Sequence, residues 1–436
     1  MVNKRIPLGD LADHLDEEVR VAGWVDSVRN LKKMQFAVLN DGTGAVQLTN
    51  QRDGGRLDEL VSGLSPSSTV AASGKLVYNP HVKLGNVEIQ LSDLEITSAP
   101  MGSSPINEGS NLDLRLDWRF LDLRDPKKRL IFQIQTTAEH AMREYWMKHG
   151  FTEIHSPKLT AGATESGAEL FQLDYFGQSA SLAQSPQFYK QMAMAAGMGR
   201  IFEIGPVFRA NKSHTRRHDT EFTSVDSELS WIDSYHDVME FEEGWIQYLV
   251  GEVAAKHGKE IESLYGIKVE VPTIPFPRIT MKNAYSILDK LGHVIPLDQE
   301  GDLDPTGEKL IGAEIRKRFG HDFVFVTEYP TSVRPFYHMR DSENPDITNS
   351  FDLLWKGMEV TTGAQREHRH DVLRDQAIDK GVDPQAIGHY LDFFKYGCPP
   401  HGGFGFGLTR MLMNLTGINN VREVTYLYRG VNRLTP

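Results

Sequence analysis

The chain has 436 residues, of which 40% are hydrophobic and 24% charged, and its formal net charge is −12. This length predicts two or more domains, and the composition is typical of a soluble globular protein. The lone cysteine, Cys398, excludes an intramolecular disulfide and a cysteine-based metal site. Without a secretory signal or a run of about 20 apolar residues, we expect a cytoplasmic protein with no membrane partner. The acidic charge argues against indiscriminate nucleic-acid binding but allows a local basic face.

The first hundred residues predict a small β-barrel. Turn signals such as Asn79-Pro80 separate short strand-like segments at 19–25, 35–39, 45–48, 69–77 and 86–96. About five strands in this length suggest an OB fold, which binds single-stranded nucleic acid through aromatic and cationic side chains. Arg29, Lys32 and Lys33 lie beside Phe36 and supply that combination. Because acidic residues outnumber basic ones here, we predict that any such surface covers one face only.

The rest of the chain predicts a larger α+β domain. Residues 99–111 are rich in Pro, Ser, Gly and Asn and indicate a linker. Apolar residues at helical spacing predict a helix over 128–149, ended by Gly150. Strand-like runs at 323–327, 350–354 and 358–361 then mix with helices without regular βαβ alternation, which indicates an antiparallel sheet flanked by helices.

A cationic hairpin is the most unusual feature of this domain. Residues 200–208 and 222–231 predict two strands joined by a turn that carries Arg209, Lys212, His214, Arg216, Arg217 and His218. Surface turns are usually rich in Gly, Asn, Asp or Pro. The turn therefore predicts a clamp for a polyanion such as a triphosphate, with a solvated charged hairpin as the alternative.

Three further groups of residues carry possible chemistry. The acidic loop 164–169 could close over a cationic group, although such loops are more often plain surface. Gln187 and Lys190 would share one face of a helical turn and could hold a carboxylate. Glu359 and Thr362 could converge on Mg²⁺ only if a bulge or twist interrupts the strand alternation.

The glycines Gly403, Gly405 and Gly407 precede a predicted helix at 408–415. Such a pattern indicates either close backbone packing or a phosphate contact. The sequence has neither a GxxxxGK[ST] loop nor a GxGxxG motif that opens a helix after a strand.

Together these residues resemble the class II aminoacyl-tRNA synthetases of the aspartyl/asparaginyl group, most closely the archaeal-type aspartyl enzymes. The resemblance covers essentially the whole chain and is most specific at 115–124, 183–191, 208–228, 350–370, 396–410 and 433–436. It implies an OB-fold anticodon-binding domain at 1–100, a hinge at 101–124 and a class II catalytic domain at 125–436. It also implies a homodimer, with Pro157 at the dimer interface.

The resemblance further implies ATP-dependent aspartylation of tRNA with Mg²⁺. The implied catalytic residues are Arg209 and Arg410, and the implied ATP-binding residues are Arg209, Arg217, His218, Phe222, Glu359 and Arg410. The implied Mg²⁺ ligands are Glu359 and Thr362. The implied L-aspartate site is Glu169, Gln187, Lys190, Asp226, Thr362 and Arg366. The implied anticodon contacts are Arg29, Phe36 and Gln47, with specificity positions at Asp26 and His81.

Expectations for the amino acid and the tRNA follow from the same family resemblance. Two cations, Lys190 and Arg366, favour aspartate over asparagine, because a carboxylate binds a cation and an amide does not. Asp26 and His81 differ from the Trp and Lys with which discriminating relatives reject the asparagine tRNA. We therefore predict charging of both tRNA-Asp and tRNA-Asn, with a separate amidotransferase completing Asn-tRNA.

The chain departs from the family pattern at Asn211, Thr409 and Gly430, where the pattern has Glu, Glu and Asp. These departures leave two alternatives open. One is a paralogue that passes aspartyl-adenylate to another acceptor or makes asparagine, and the other is a non-catalytic RNA-binding relative.

Overall fold

The computed structural model describes residues 5–162, 169–212 and 215–436. Most of the predicted acidic loop and His214 of the predicted clamp lie outside these ranges, whereas Glu169 lies within them. The chain divides into two compact units, with the boundary between Pro126 and Lys127.

The N-terminal unit contains a closed five-stranded barrel with strand order β1-β2-β3-β5-β4, which confirms the predicted OB fold. After a 3₁₀ helix (Leu8–His14), its elements are β1 (Glu18–Asn30), β2 (Met34–Asn40), β3 (Ala45–Gln51), α1 (Arg56–Ser62), β4 (Thr69–Tyr78) and β5 (Val87–Ser98). Alternation positions the side chains: Ala37 and Leu39 of β2 are buried, while Phe36 and Val38 lie on the opposite face.

Short helices occupy the second half of the predicted hinge. They are α2 (Leu112–Asp117) and α3 (Arg119–Asp122). Asn111 begins α2 by accepting a hydrogen bond from the Leu114 backbone N–H at 2.9 Å, as an N-cap residue does.

The second unit contains an eight-stranded sheet with order β12-β13-β14-β15-β16-β11-β10-β6 and a smaller sheet with order β7-β9-β8. The strands are β6 (Thr152–Glu153), β7 (Leu159–Thr160), β8 (Gln172–Tyr175), β9 (Gln178–Leu182), β10 (Arg200–Phe208), β11 (Glu221–Ser230), β12 (Arg278–Thr280), β13 (Phe323–Thr327), β14 (Ser350–Trp355), β15 (Met358–Arg366) and β16 (His401–Gly407). Neighbouring strands from β13 through β14, β15, β16 and β11 to β10 pair antiparallel. The two edge pairs, β12 with β13 and β10 with β6, are parallel. This arrangement confirms the predicted α+β class.

Helices flank the large sheet. They are α4 (Pro126–Lys148), α5 (Gln187–Ala195), α6 (Tyr235–Tyr265), α7 (Met281–Lys290), α8 (Pro305–Phe319), α9 (His370–Asp379), α10 (Gly388–Leu391), α11 (Leu408–Thr416) and α12 (Val421–Val424), with 3₁₀ turns at Leu297–Gln299, Thr331–Val333 and Asp392–Phe394. Within the described ranges, none of these helices combines the length and apolar character needed to cross a membrane.

Stacked aromatic rings join α4 and α6 to the sheet. The Trp146 ring lies 4.8 Å from Trp245 and 4.4 Å from Phe202, and Trp245 lies 5.1 Å from Phe406. All four side chains are buried. This core covers one face of the sheet and leaves the other face available for polar side chains.

One carboxylic acid is buried beneath the sheet. Glu242 of α6 is fully buried, and burial raises its pKa to about 8, with the charges of Glu243 and Asp352 acting in the same direction and the Thr361 hydroxyl against it. The folded protein therefore holds a proton that the unfolded chain releases near pH 4.5.

We predict that Glu242→Gln removes a pH-dependent loss of stability. Between about pH 4.5 and pH 8 this group makes unfolding easier by about 1.4 kcal/mol for each pH unit, because the folded state binds the extra proton. In urea unfolding, the free energy of unfolding of the variant should exceed that of the wild type most at pH 8, and this difference should narrow towards acid pH. Glu252→Gln, on an exposed position of α6, is the control. Parallel stability curves for wild type and Glu242→Gln would contradict the prediction.

Candidate active site

A cavity of about 390 Å³ lies on the polar face of the large sheet. It is lined by every residue that the family resemblance implies for substrates and metal in the second unit: Glu169, Gln187, Lys190, Arg209, Arg217, His218, Phe222, Asp226, Glu359, Thr362, Arg366 and Arg410. Lys212 and Arg216 of the predicted clamp are not among its lining residues. Residues from Glu169, which precedes β8, to Arg410 of α11 thus meet in one place, although they are up to 241 positions apart in the chain.

Strand alternation arranges one wall of the cavity. Phe222, Ser224, Asp226 and Glu228 occupy every second position of β11 and therefore share a face. The register pairs Asp226 with Gly405 and Glu228 with Gly403, so glycines of β16 stand opposite the acidic side chains. A Cβ at Gly403 would lie 2.1 Å from the Ser227 carbonyl oxygen and 2.3 Å from Glu228 Oε2. The glycine pattern here serves close packing against two carboxylates.

The predicted hairpin forms one end of the cavity. Strands β10 and β11 pair from Arg200↔Leu229 to Phe208↔Glu221, which confirms the two predicted strands. The Arg209 guanidinium carbon lies 5.6 Å from the centre of the Phe222 ring. Partial burial and the charge of Arg410 lower the pKa of His218, against the charge of Glu169.

Two arginines at this end hold carboxylates. Arg217 Nη1 lies 2.9 Å from Glu308 Oε2 at the start of α8. Burial raises the pKa of Glu308 to about 7, although the Arg217 charge opposes this shift. Arg410 Nη1 lies 3.0 Å from Glu359 Oε1. A polyanion at this end therefore competes with two protein carboxylates for its arginines.

Glu359 and Thr362 converge because β15 has the required bulge. The pairing with β14 steps from Leu353↔Thr361 to Leu354↔Glu359, which leaves Val360 without a partner residue. The Thr362 hydroxyl donates to Glu359 Oε1 at 3.3 Å. Although burial acts against it, the charges of Arg410 and Arg334 lower the pKa of Glu359.

These oxygens fit a Mg²⁺ ion that also binds a substrate. Asp352 stands opposite Thr362 across β14 and β15, and its Oδ1 is buried without a hydrogen-bond partner in the described ranges. The same ranges contain no group of three or more His, Cys, Asp or Glu side chains placed to hold a metal. Mg²⁺ commonly uses one or two carboxylates together with water and substrate phosphates, so a partial ligand set of this kind suits it.

A buried network of charges forms the other end of the cavity. Lys190 of α5 is 1% exposed, and its Nζ lies 2.9 Å from Asp226 Oδ1 and 3.3 Å from Glu228 Oε2. Arg366 of β15 is 3% exposed, and its Nε lies 3.0 Å from Glu228 Oε1. Although burial opposes it, the charges of Arg366 and Lys190 lower the pKa of Glu228.

Gln187 completes this end, whereas Glu169 lies at the base of the hairpin. Gln187 shares α5 with Lys190, as the helical spacing predicts, and its Nε2 donates to Gln191 Oε1 at 3.0 Å. The Glu169 carbonyl accepts a hydrogen bond of 2.8 Å from the Ala210 backbone N–H. This bond connects the end of the acidic loop to the base of the hairpin.

The predicted anticodon contacts lie on the barrel of the first unit. Arg29 pairs with Phe36 across β1 and β2, and its guanidinium carbon lies 4.7 Å from the Phe36 ring centre. Gln47 of β3 pairs with Val38, which lies two positions after Phe36 on β2, so Gln47 faces the same side of the barrel as Phe36. Its Nε2 donates to Glu88 Oε2 at 2.9 Å. Asp26 lies exposed at a bulge in β1, and His81 lies exposed between β4 and β5.

Comparison with known proteins agrees with both units. The family described as tRNA synthetases class II (D, K and N) matches residues 111–429, and the family described as OB-fold nucleic acid binding domain matches residues 19–97. The chain belongs to the class II tRNA synthetases. It is thus an aminoacyl-tRNA ligase by family.

Two relatives of this synthetase have similar lengths. The aspartate–tRNA(Asp/Asn) ligase of Aeropyrum pernix is 43% identical over 428 residues, which cover 96% of this chain and 95% of that protein. The aspartate–tRNA(Asp) ligase of Pyrococcus horikoshii is 41% identical over 426 residues, with 96% of each chain covered.

Solved structures of synthetases share the fold. The asparaginyl-tRNA synthetase of Pyrococcus horikoshii complexed with asparaginyl-adenylate superposes with a TM-score of 0.91 and 31% identity, covering 100% of both chains. A putative aspartyl-tRNA synthetase from Leishmania major also gives 0.91, at 29% identity, covering 100% of this chain and 96% of that one.

Sequence reasoning missed one wall of the synthetase cavity. Arg334, Tyr337 and His338 line it from the segment between β13 and β14. Arg334 Nη2 lies 2.7 Å from Asp352 Oδ2. Because the segment lacks strand or helix periodicity, the identity of its side chains was the one available signal.

The three departures from the family pattern lie at or near this site. Asn211 and Thr409 line the cavity. Gly430 forms a short bridge with Arg433, and the neighbouring Arg429 carbonyl accepts a hydrogen bond of 3.1 Å from the Thr220 N–H of the hairpin.

We predict that Gly403→Ala destabilises the synthetase by about 1–3 kcal/mol, because the added methyl group overlaps the Ser227 carbonyl and the Glu228 carboxylate. Gly251→Ala in α6 is the matched control, since its Cβ meets no heavy atom within 4 Å and should stabilise by about 0.4–1 kcal/mol. Urea unfolding monitored by fluorescence measures both. Equal stability of the two variants would contradict the assigned packing role.

Proposed function

We propose that this synthetase is an aspartate–tRNA ligase that uses ATP to activate L-aspartate and aspartylates both tRNA-Asp and tRNA-Asn. One observation carries the proposal: a single cavity joins an arginine-rich end, with Arg209, Arg217 and Arg410, to a buried pair of cations, Lys190 and Arg366. Relatives named for aspartate support it.

Activation joins the two ends of the cavity. An oxygen of the aspartate α-carboxylate attacks the α-phosphorus of ATP, the new O–P bond forms, and the bond to pyrophosphate breaks. Arg209 holds the α-phosphate and neutralises the charge that develops there. Arg217 and His218 bind the outer phosphates, and Phe222 and Arg410 enclose the adenine.

Positioning and charge neutralisation supply the rate, since the step needs little proton transfer. When Mg²⁺ is bound, it neutralises phosphate charge. Glu359 and Thr362 would hold that ion, and Asp352, whose Oδ1 has no hydrogen-bond partner among the described residues, stands opposite Thr362.

The charged network selects the amino acid. Within the described ranges Arg366 donates three hydrogen bonds, to Glu228, His338 and the Gly403 carbonyl, and a guanidinium carries more N–H donors than that. The remaining donors, with Lys190, bind the side-chain carboxylate of aspartate. Glu169 holds the substrate ammonium, and Gln187, Asp226 and Thr362 complete the pocket.

Transfer follows at the same place. A hydroxyl at the tRNA 3′ end attacks the aspartyl carbonyl carbon, the ester bond forms, and AMP leaves.

The barrel, residues 1–100, reads the anticodon through Arg29, Phe36 and Gln47, with residues 101–124 as hinge and 125–436 as catalytic domain. Asp26 and His81 impose no preference between the two tRNAs, and an amidotransferase then converts Asp-tRNA-Asn. The enzyme works in the cytoplasm as a homodimer with Pro157 at the interface.

Two assays test the proposal. ATP–pyrophosphate exchange should depend on L-aspartate and Mg²⁺ and respond far less to L-asparagine. Charging of purified tRNA-Asp and tRNA-Asn should then succeed with both. Exchange driven by asparagine would overturn the amino-acid assignment, exchange without charging would indicate another acceptor, and a strong preference for tRNA-Asp would overturn the relaxed tRNA specificity.

We predict that Phe36→Ala lowers kcat/KM for tRNA charging by about 5- to 150-fold, because base stacking on an aromatic ring contributes about 1–3 kcal/mol. Exchange in the absence of tRNA provides the reference rate for each preparation. Val38→Ala, the next residue on the same face of β2, is the matched control. An equal loss in both variants would contradict a specific contact at Phe36.

A further inference from the structure

His338 is a buried histidine that none of the steps above uses. It is 2% exposed, it lines the cavity, and it forms a short β-bridge with Arg366. Its Nε2 lies 2.9 Å from Arg366 Nη1. Since a guanidinium can only donate, Nε2 must accept, and the ring proton must therefore lie on Nδ1.

The surroundings favour this neutral form. Burial and the charges of Arg366, Arg334, Lys190 and Lys380 lower the pKa of His338 well below its ordinary value. Two of these cations are paired with Glu228, which is bonded to Arg366 and Lys190, and Arg334 is paired with Asp352. The Nδ1 atom is buried without a hydrogen-bond partner in the part of the chain that the structure describes.

Arg366 depends on this histidine for one of its three bonds. Glu228 Oε1 accepts from Nε at 3.0 Å and the Gly403 carbonyl accepts from Nη2 at 3.0 Å. His338 is the acceptor for Nη1. The three acceptors together fix the plane of the guanidinium, and of the three only the His338 nitrogen ceases to accept when it takes up one proton.

We propose that His338 is a positioning residue for Arg366, and that its unprotonated ring holds the guanidinium in the orientation that binds the side-chain carboxylate of aspartate. The proposal rests on the proposed function, because it assigns the Arg366 end of the cavity to aspartate.

Acid pH should disturb this arrangement. Protonation of Nε2 would set two donors and two positive charges against each other, so that Arg366 would have to move. The affinity for aspartate therefore falls as the pH drops through the pKa of His338. Affinity for ATP does not follow, because Arg217 pairs with Glu308 and Arg410 with Glu359 at the opposite end of the cavity.

Two variants of His338 distinguish the loss of the hydrogen-bond acceptor from the loss of the histidine ring itself. His338→Gln keeps an acceptor near the position of Nε2 and cannot be protonated, whereas His338→Leu removes the acceptor. We expect His338→Leu to raise KM for aspartate about 10-fold or more, the size of one hydrogen bond to a charged group, with KM for ATP unchanged. His338→Gln should restore most of the affinity and remove the acid limb of the pH profile.

The control is His321→Leu, which removes another buried histidine whose ring nitrogens bond to the backbone at Phe323 and Thr273. It should lower Tm without changing KM for aspartate. Calorimetric titration with L-aspartate accompanies the kinetics. If the wild type binds no aspartate, the proposed function and this inference both fail. If it binds aspartate but His338→Leu and His338→Gln are equally impaired, or neither is, or the pH profiles coincide, the role of His338 alone is overturned.

Discussion

The ion network of Lys190, Asp226, Glu228 and Arg366 is the constraint on which this synthetase fold depends. Each of these residues is at most 4% exposed. A buried charge without a partner costs several kcal/mol, so all four must be present together and in contact. The network joins α5 to three adjacent strands, β11, β16 and β15, through Lys190, the Gly403 carbonyl and Arg366. The centre of the sheet can therefore shift only if the charges lose their partners.

The sheet arranges the residues of the site in a row. Residues two apart on β11 lie about 6.8 Å apart on one face, so Phe222 and Glu228 mark two ends of a row about 20 Å long. Gly405 faces Asp226 and Thr362 on either side, without a side chain of its own. The middle strand thus forms the floor, and its neighbours supply the walls. A hairpin and two flanking strands can in this way hold a nucleotide and an amino acid in one line.

Local patterns in the sequence predict the fold well. Period-two alternation in 34–40 and the turn signals between short runs were sufficient for the barrel, and apolar spacing in 128–149 was sufficient for α4. The site was less accessible. Glu359 and Thr362 converge because β15 has a bulge at Val360. Strand alternation in the sequence shows that such a bulge is required but not where it lies. The wall from Arg334 to His338 has no periodicity, and its contacts with Asp352 and Arg366 are long-range, so only the folded chain shows them.

If the network binds aspartate as proposed, its charge balance determines how it would discriminate between aspartate and asparagine. Two cations and two anions leave it neutral, so net charge does not attract a carboxylate strongly. In the proposed function discrimination depends on hydrogen-bond polarity: a guanidinium can only donate, so an amide nitrogen turned towards the Arg366 donors that Glu228, His338 and Gly403 leave over would stay unpaired, and so would those donors. A site built from donors rejects such a group because the unpaired donors are buried. For the proposed function the orientation of Arg366 would therefore decide selectivity, since a guanidinium turned away from the cavity would leave the same charges in place without the same donors.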